Sequence, residues 1–327
     1  MPKLHLTLAC GDYDLTRPLR EETVKPESID LTVVNLASAE RHWRMLRHLE
    51  FDACELSMAS YMLAKDLGVA RYTAIPAFPH RRMRHSFFLI NTDSGVRTPK
   101  DLEGRKVGLR TLQNTASMWM RGILQDEYGV DLASITWVSE DEEDVEFTPP
   151  SLMKLERPPR GETLDSMLRR GEVACVMFPD LLPSFVSGAA PNIRRLFPNA
   201  KSEEMAYYKK TGFFPIMHAV VIRDEVLEKH PWVAKSLFKA FDRAKAEMQR
   251  SQLDPRKVSL AWMQDLLEEQ QKVMGRDPWV YGIEPNRLAL EAMYRYGQLC
   301  GLLSKPLTSV DEWFYASTRE ERGERSQ

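Results

Sequence analysis

Short apolar runs alternate with amphipathic helical patterns along most of the chain, and this alternation constrains the fold more than any other feature. Residues 4–10, 30–35 and 51–56 are apolar runs of strand length, and the segments that follow the second and third of them have apolar residues at helical spacing. Parallel strands joined by helical crossovers produce this order. We therefore predict an α/β fold.

The order of the segments predicts two lobes rather than one. With 327 residues the chain is long enough for two α/β domains. One α/β unit, a second unit that opens near Thr98 and a helical tail are typical of a discontinuous two-lobed protein. We predict that residues 1–88 and 220–327 form the first lobe, with the C-terminal helices, and that residues 89–219 form the second. A hinge and a ligand cleft are expected between the lobes.

The remaining elements follow from periodicity and capping residues. We predict a helix that begins at Asn114 or Thr115, and another that is capped by Thr163 and ended by Gly171. The acidic run 140–146 and the prolines after it predict a solvated surface loop. Further strands are expected at residues 72–78, 86–91, 105–110, 135–138, 174–178 and 212–222. The tail has apolar stripes, interpreted as core, at residues 233–248, 260–274 and 289–300.

Charge and composition exclude several classes of function. The 45 basic and 47 acidic residues give a net charge of −2, so the chain has no broad field for nucleic acid or an anionic membrane. The N-terminal segment becomes polar too soon for a signal peptide, and no run reaches the about 18 apolar residues of a membrane span. We therefore expect a cytoplasmic protein with a small-molecule partner. The tail helices leave a homo-oligomer open as an alternative.

The four cysteines do not predict a metal or disulfide framework. They lie far apart, without a CxxC spacing, and we expect all four to be buried reduced thiols. They are Cys10, Cys54, Cys175 and Cys300.

Seven segments, in the same order over roughly residues 3–315, resemble the 4,5-dihydroxyphthalate decarboxylase family. They are LACGDYD (8–14), FDACELS (51–57), RHS (84–86), NTDSG (91–95), RGIL (121–124), FPIMH (214–218) and HPWVA (230–234). The resemblance implies a type 2 periplasmic-binding-protein fold that serves as a cytoplasmic enzyme. It also implies cofactor-independent loss of CO2 from a ring with adjacent carboxylates and adjacent hydroxyls, with protocatechuate as the expected product.

Such a reaction needs a general acid to protonate the ring carbon that bears the leaving carboxylate. His218 follows an apolar run at the predicted hinge, and imidazole titrates in the useful range. His85 ends a basic loop and is a second candidate. Glu55 follows the third strand, where a carboxylate can accept catechol hydroxyl protons or can cap the next helix; both readings stay open.

The substrate carboxylates need cationic or hydrogen-bonding partners. Arginine matches a carboxylate through two parallel hydrogen bonds, and Arg82 is our candidate among the three arginines of the basic loop. Arg110 with Thr115, at a strand end and a helix start, predicts a second anion site. Ser57 and Asp12 are further candidates. Each of these residues also has an ordinary alternative role as a solvated charge, a helix cap or a turn residue.

We predict no metal and no cofactor. Asp12, Glu55, His85 and His218 are carboxylate and imidazole residues that can in principle assemble a metal site, but no HxxE, HxxxH or HxH spacing is present. A cytoplasmic solute-binding or sensor protein for phthalate-like acids is the main alternative to an enzyme. A pyridoxal-phosphate-dependent pyrimidine-precursor synthase of the same fold is a third class, and the sequence has no signature for it.

Overall fold

A computed structural model describes residues 2–323, and within this range the chain forms eleven β-strands and eleven α-helices. The strands are β1 (Leu4–Cys10), β2 (Ile29–Asn35), β3 (Ala53–Ser57), β4 (Tyr72–Ile75), β5 (Phe88–Asn91), β6 (Lys106–Leu109), β7 (Thr136–Ser139), β8 (Lys154–Glu156), β9 (Cys175–Met177), β10 (Ile193–Arg195) and β11 (His218–Arg223). The helices are α1 (Arg17–Arg20), α2 (Ser38–His48), α3 (Met58–Leu67), α4 (Thr115–Tyr128), α5 (Leu164–Arg170), α6 (Pro183–Val186), α7 (Ala200–Thr211), α8 (Asp224–Lys229), α9 (Val233–Gln252), α10 (Met263–Met274) and α11 (Arg287–Leu299).

The chain divides into two compact units. The first unit consists of Met1–Arg81, Ile216–Glu291 and Lys305–Gln327, and the second of Arg82–Pro215 and Ala292–Ser304. The sequence prediction placed the borders after residues 88 and 219 and gave the whole tail to the first lobe. Met1 and residues 324–327 of that predicted lobe lie outside the described residues.

The first unit contains a five-stranded sheet in the order β2-β1-β3-β11-β4. β1 is parallel to β2 and β3, whereas β11 runs antiparallel to β3 and β4. The register places His218 opposite Ser57 and Val220 opposite Glu55. Because β3 ends where β11 begins, two of the predicted catalytic residues, Glu55 and His218, lie at the same end of two neighbouring inner strands.

The helices of the first unit differ in how much they bury. α9 places an apolar stripe in the core, including Val233, Leu237 and Phe241, because these residues share one helical face. α10 has apolar residues at helical spacing but no buried residue. The prediction of a core stripe is therefore correct for α9 and wrong for α10.

The second unit contains a six-stranded sheet in the order β10-β5-β9-β6-β7-β8. α4 begins at Thr115, with Asn114 as its cap, and α5 is capped by Thr163 and followed by the left-handed Gly171, as predicted. β6 is parallel to β7 and β9, and β5 is antiparallel to β9 and β10. This sheet holds a compact core of its own.

The acidic segment after β7 is not simply a solvated loop. The Glu143 carboxylate accepts the backbone N–H groups of Leu112 and Gln113, at 2.6 and 3.1 Å. The Gln113 amide makes two hydrogen bonds to the backbone of Val145, which is buried. The segment is ordered because its carboxylates satisfy backbone donors of a neighbouring turn.

All four cysteines are free and buried, as the sequence predicts. No helix within residues 2–323 is both long and apolar enough to cross a membrane.

Candidate active site

A buried glutamate organises the site in the first unit. Glu55 lies near the end of β3 with no solvent exposure, and its carboxylate accepts three hydrogen bonds and forms an ion pair with one guanidinium. Oε2 accepts the backbone N–H of Gly11 at 2.8 Å and faces Nη2 of Arg41 at 3.0 Å. Oε1 accepts the Tyr13 hydroxyl at 2.9 Å and the Nδ1–H of His218. Both oxygens therefore already have two partners each.

These donors keep Glu55 ionised. Burial by itself raises the pKa of a carboxyl group, but the Arg41 guanidinium, followed by His218 and the Gly11 N–H, outweighs burial and holds the pKa of Glu55 well below its usual range. Its acceptor positions are filled, so it is poorly suited to accept catechol protons. The cap of α3 is the side chain of Ser57. Neither predicted role of Glu55 fits, and the residue instead anchors its neighbours.

The loop after β1 clamps the glutamate. A side chain at Gly11 would overlap the Tyr13 ring. Because residue 11 is glycine, the Tyr13 ring can lie against the Gly11 backbone and its hydroxyl can reach Glu55. Burial, and then the negative charge of Glu55, raises the pKa of the Tyr13 phenol, which stays a donor. Asp12 points away into an exposed ion pair with Arg20. Sequence reasoning selected Asp12 from this loop, whereas Tyr13 makes the contact.

His218 is the imidazole that Glu55 holds. It is the first residue of β11 and is 7% exposed. An ionised carboxylate can only accept, so we assign the hydrogen of this pair to Nδ1 of His218. Nε2 is then the nitrogen that can exchange a proton with a ligand, while Glu55 stabilises the charged form of the ring.

Two further histidines surround His218, and neither was predicted from the sequence. Nδ1 of His80 lies 3.4 Å from Nδ1 of His218, with 4.6 Å between ring centroids. The half-buried His80 ring also stacks on Tyr13 at 5.3 Å. His42, on α2, meets the His218 ring edge-on at 4.8 Å. The available signal was that His80 opens the same basic loop that ends with His85.

One set of side chains in the described part of the first unit can supply metal ligands. Glu55, His80 and His218 have donor atoms within 4.8 Å of one another. The sequence analysis considered Asp12, Glu55, His85 and His218 as a possible metal set. In the structure, His80 takes the place of Asp12 and His85 beside Glu55 and His218. The positive charge of Arg41 beside Glu55 opposes a cation there, and the filled carboxylate fits a hydrogen-bonded pair better.

His85 belongs to the second unit, and the structure argues against its predicted catalytic role. It is 1% exposed, and its ring packs against Tyr128, Phe197 and Tyr207 at centroid distances of 5.1–6.1 Å. Burial lowers the pKa of His85 to about 4. An imidazole that is neutral near pH 7 cannot act as a general acid there, so we interpret His85 as a core residue.

The three arginines of the basic loop do not form a clamp. Arg81, in the first unit, donates to the Val280 carbonyl and the Asn286 side chain. In the second unit Arg84 is buried, which lowers the pKa of its guanidinium to about 9, and it donates to the Pro179 carbonyl. Of the three, only Arg82 exposes its side chain, and its guanidinium lies 4.0 Å from Asp180.

The other predicted binding residues have structural partners. Arg110 pairs with Asp141 at 2.8 Å, so its charge already has a counter-ion. Thr115 is the buried first residue of α4, where Asn114 supplies the cap. Ser57 caps α3 and lies opposite His218 in the β3–β11 ladder. In the register of that ladder it is the predicted binding residue nearest His218.

Comparison with solved structures identifies the class of fold. The Escherichia coli periplasmic aliphatic sulphonate-binding protein SsuA matches with a TM-score of 0.55 at 12% identity, over 98% of this chain and all of that one. A ligand-binding component of a Staphylococcus aureus ABC-type import system gives 0.55 at 13% identity, over 99% and 100%. A Candida albicans protein with the generic periplasmic-binding-protein fold gives 0.52 at 11% identity, over 98% and 96%. The chain therefore has the periplasmic-binding-protein fold.

Sequence comparison identifies the family. No family model matches the sequence. A Comamonas testosteroni protein named 4,5-dihydroxyphthalate decarboxylase is 33% identical over 325 residues, which cover 97% of this chain and 98% of the relative. A Pseudomonas putida protein of the same name is 31% identical over 219 residues, or 65% and 84%. The chain belongs to the 4,5-dihydroxyphthalate decarboxylase family, whose named members are carboxy-lyases.

Proposed function

We propose that this chain converts 4,5-dihydroxyphthalate to protocatechuate and CO2, with His218 as the general acid. The observation that supports this proposal is the buried Glu55–His218 hydrogen bond, which assigns the Nδ1 hydrogen of His218 to the carboxylate and leaves Nε2 for chemistry. The named activity of the two relatives supplies the reaction class.

The chemistry requires a proton on the ring carbon that carries the leaving carboxylate. In 4,5-dihydroxyphthalate each carboxylated carbon has a hydroxyl para to it, which donates electron density to that carbon. As the N–H bond of His218 breaks, a C–H bond forms; the ring–carboxylate bond then breaks, and its electron pair restores the aromatic ring. General acid catalysis of this kind contributes about 10²–10⁴-fold in rate.

Glu55 contributes by orientation and charge. A carboxylate on Nδ1 fixes the tautomer of His218 and stabilises the imidazolium form that supplies the proton. The carboxylate that the substrate retains serves as a handle that orients the ring against this acid. Ser57, which is opposite His218 in the strand ladder, is our candidate for a hydroxyl contact to the substrate.

The test is direct. Purified enzyme is incubated with 4,5-dihydroxyphthalate while CO2 release and product are followed by chromatography, and substrate binding is measured by calorimetry in parallel. Protocatechuate formation that is lost in His218→Asn supports the proposal. Tight binding without turnover favours a non-catalytic sensor of aromatic acids instead. The absence of both binding and turnover would refute 4,5-dihydroxyphthalate as the ligand.

A further inference from the structure

The segment after β4 holds the start of β11 through backbone hydrogen bonds. The His80 carbonyl accepts the N–H groups of Met217 and His218, at 2.9 and 3.3 Å. An isolated antiparallel bridge joins the next residue, Arg81, to Ile216. All of these residues belong to the first unit. The backbone position of His218 therefore depends on where the segment after β4 lies.

The Arg81 side chain ties this segment to residues 277–286, which we call the brace. Nη2 of Arg81 donates to the Val280 carbonyl at 3.0 Å and to Oδ1 of Asn286 at 2.6 Å. Arg81 and Asn286 are each 5% exposed, and the guanidinium lies 5.4 Å from the centroid of the Phe78 ring. Because a guanidinium is planar and donates in fixed directions, these contacts fix the orientation of the arginine.

Asn286 is itself held in place, so it can serve as an anchor. Its Nδ2 donates to the carbonyls of Val280 and Gly282, at 2.9 and 2.7 Å. The N–H of Gly282 in turn donates to the Pro76 carbonyl at 2.9 Å. The brace thus meets the segment after β4 at two points, Pro76 and Arg81. The residues between these points are held at both ends.

The brace is attached to α9 through a buried ion pair. The Lys245 side chain has no exposure, and its Nζ lies 2.6 Å from Oδ2 of Asp277. Oδ1 of Asp277 accepts hydrogen bonds from the Gln249 side chain at 2.7 Å and from the backbone N–H of Trp279 at 2.9 Å. A network of satisfied buried groups is rigid. The brace therefore begins at a fixed point on a long helix.

We propose that Arg81 is a positioning residue for the decarboxylation and that Asn286 is its anchor. The inference rests on the proposed role of His218 as the acid. The Arg81–Asn286 contact fixes the His80 carbonyl, which holds the backbone from which the His218 side chain extends. A misplacement of about 1 Å can cost about 10²-fold in rate. Because the alignment of acid and ring carbon matters most in the transition state, loss of the contact should lower kcat more than it raises KM.

Variants test the contact by kinetics. Arg81→Met removes the donors, and Asn286→Ala removes the acceptor. We expect each to lower kcat about 10–100-fold, with KM within about threefold of wild type, at a temperature where the variant is fully folded. The double variant should lose no more rate than the more impaired single variant, because both substitutions break the same contact. Arg81→Lys keeps a cationic donor and should recover part of the rate.

Amide hydrogen exchange tests the positional step without turnover. The His80 carbonyl protects the N–H groups of Met217 and His218. In Arg81→Met and in Asn286→Ala, exchange at these two amides, followed by mass spectrometry with residue resolution, should be at least about tenfold faster. The amides of β1 should keep the wild-type rate.

Arg287→Met is the matched control for a general loss of stability. The Arg287 guanidinium pairs with Glu284 at 3.0 Å and with Asp311 at 3.2 Å. Its removal loosens the same end of the brace but leaves the Arg81–Asn286 contact in place. The kcat of Arg287→Met should stay within about twofold of wild type, even if its thermal unfolding shows as large a loss of stability as Arg81→Met.

The outcomes separate this inference from the proposed function. Wild-type kcat in Arg81→Met, unchanged exchange at Met217 and His218, or an equal fall of kcat in Arg287→Met would overturn the positioning role. If Arg81→Met does not fold, Arg81→Lys and Asn286→Ala decide the question by the same measurements. A wild-type enzyme without turnover of 4,5-dihydroxyphthalate would instead refute the proposed function, and hydrogen exchange would still show whether Arg81 holds the start of β11.

Discussion

His218 donates its Nδ1 hydrogen to Oε1 of Glu55, and the pairing of two strands places these residues together. β11 returns antiparallel to β3 in a register that sets His218 opposite Ser57, two residues beyond Glu55. The proposed acid therefore comes from a segment 163 residues away from Glu55 in sequence and is held by a sheet rather than by a loop. Placement on a rigid element favours reproducible proton transfer.

Replacement of His218 tests the acid directly. His218→Asn removes the transferable proton while the amide can still donate to Glu55, so we expect a folded protein whose kcat falls about 10²–10⁴-fold. Steady-state CO2 release measures the change, and circular dichroism checks the fold. The exposed His48→Asn variant should match the wild type. Full activity in His218→Asn would exclude His218 as the acid.

The fold was largely predictable because its signals are local. The bounds of β1 at Leu4–Cys10, the start of α4 at Thr115 and the Thr163 cap of α5 depend on residues close together in the chain. α10 was mispredicted because periodicity reports an apolar face but not whether the rest of the chain covers it. The anchored acidic segment was missed because Glu143 is satisfied by backbone groups of a turn some thirty residues earlier.

Glu55→Gln tests the anchor. The amide keeps the shape but leaves Arg41 buried without its counter-ion, so the free energy of unfolding should fall by about 3–5 kcal/mol. The rate should fall as well, because the imidazolium of His218 loses its carboxylate. Urea unfolding and CO2 release measure the two effects.

A matched pair of variants separates stability from catalysis in the Glu55 test. Glu55→Gln/Arg41→Met removes both buried charges and should recover much of the stability without restoring the rate. Glu50→Gln, which changes an exposed partner of Arg44, should alter neither quantity appreciably. If Glu55→Gln kept wild-type stability, the buried ion pair would not have the role assigned to it.

The stability of the second unit should depend on pH through His85. Its folded pKa of about 4 lies below the value of about 6.5 expected in the unfolded chain. Its contribution is therefore fully present above about pH 6.5 and is lost as the pH falls towards 4, by up to about 3 kcal/mol. His85→Leu cannot be protonated, so its unfolding free energy should fall less than that of the wild type over this range. Urea unfolding at several pH values measures the difference, and parallel curves would contradict the buried neutral state.

The site was only half predictable, for a physical reason. Glu55 and His218 stand in segments that the family resemblance marked, but the choice between His80 and His85 depends on how one basic loop is placed. The structure puts His80 against Tyr13 and His218, whereas His85 is enclosed by aromatic rings. Only the four loop residues 81–84 lie between these two histidines, yet their environments are opposite, and nothing in the local sequence distinguishes them.

Gly11, in the loop after β1, should contribute to stability at least as much as the Tyr13 hydroxyl that it allows to reach Glu55. In Gly11→Ala the new methyl group overlaps the Tyr13 ring, so the ring must move and its hydrogen bond to Glu55 must lengthen or break. We expect a loss of about 1–3 kcal/mol in stability from the steric conflict. Tyr13→Phe, which deletes only the hydroxyl, should cost less, about 1 kcal/mol. Thermal unfolding compares the stabilities of Gly11→Ala and Tyr13→Phe. Equal losses of stability in the two variants would mean that Gly11 is not needed to position the Tyr13 ring.

Removal of metal tests the hydrogen-bonded interpretation of the site against the metal alternative. Glu55, His80 and His218 can supply three donors, but Arg41 and Tyr13 already use the carboxylate, so we expect chelator-treated enzyme to keep its full rate. Metal content by mass spectrometry is measured on the same sample. Zn²⁺ added back should inhibit, because it competes with the proton for the imidazole nitrogens. If activity disappeared on chelation and returned with one equivalent of a divalent ion, His218 would not be the proton donor. Glu55, His80 and His218 would then be ligands of a catalytic metal ion.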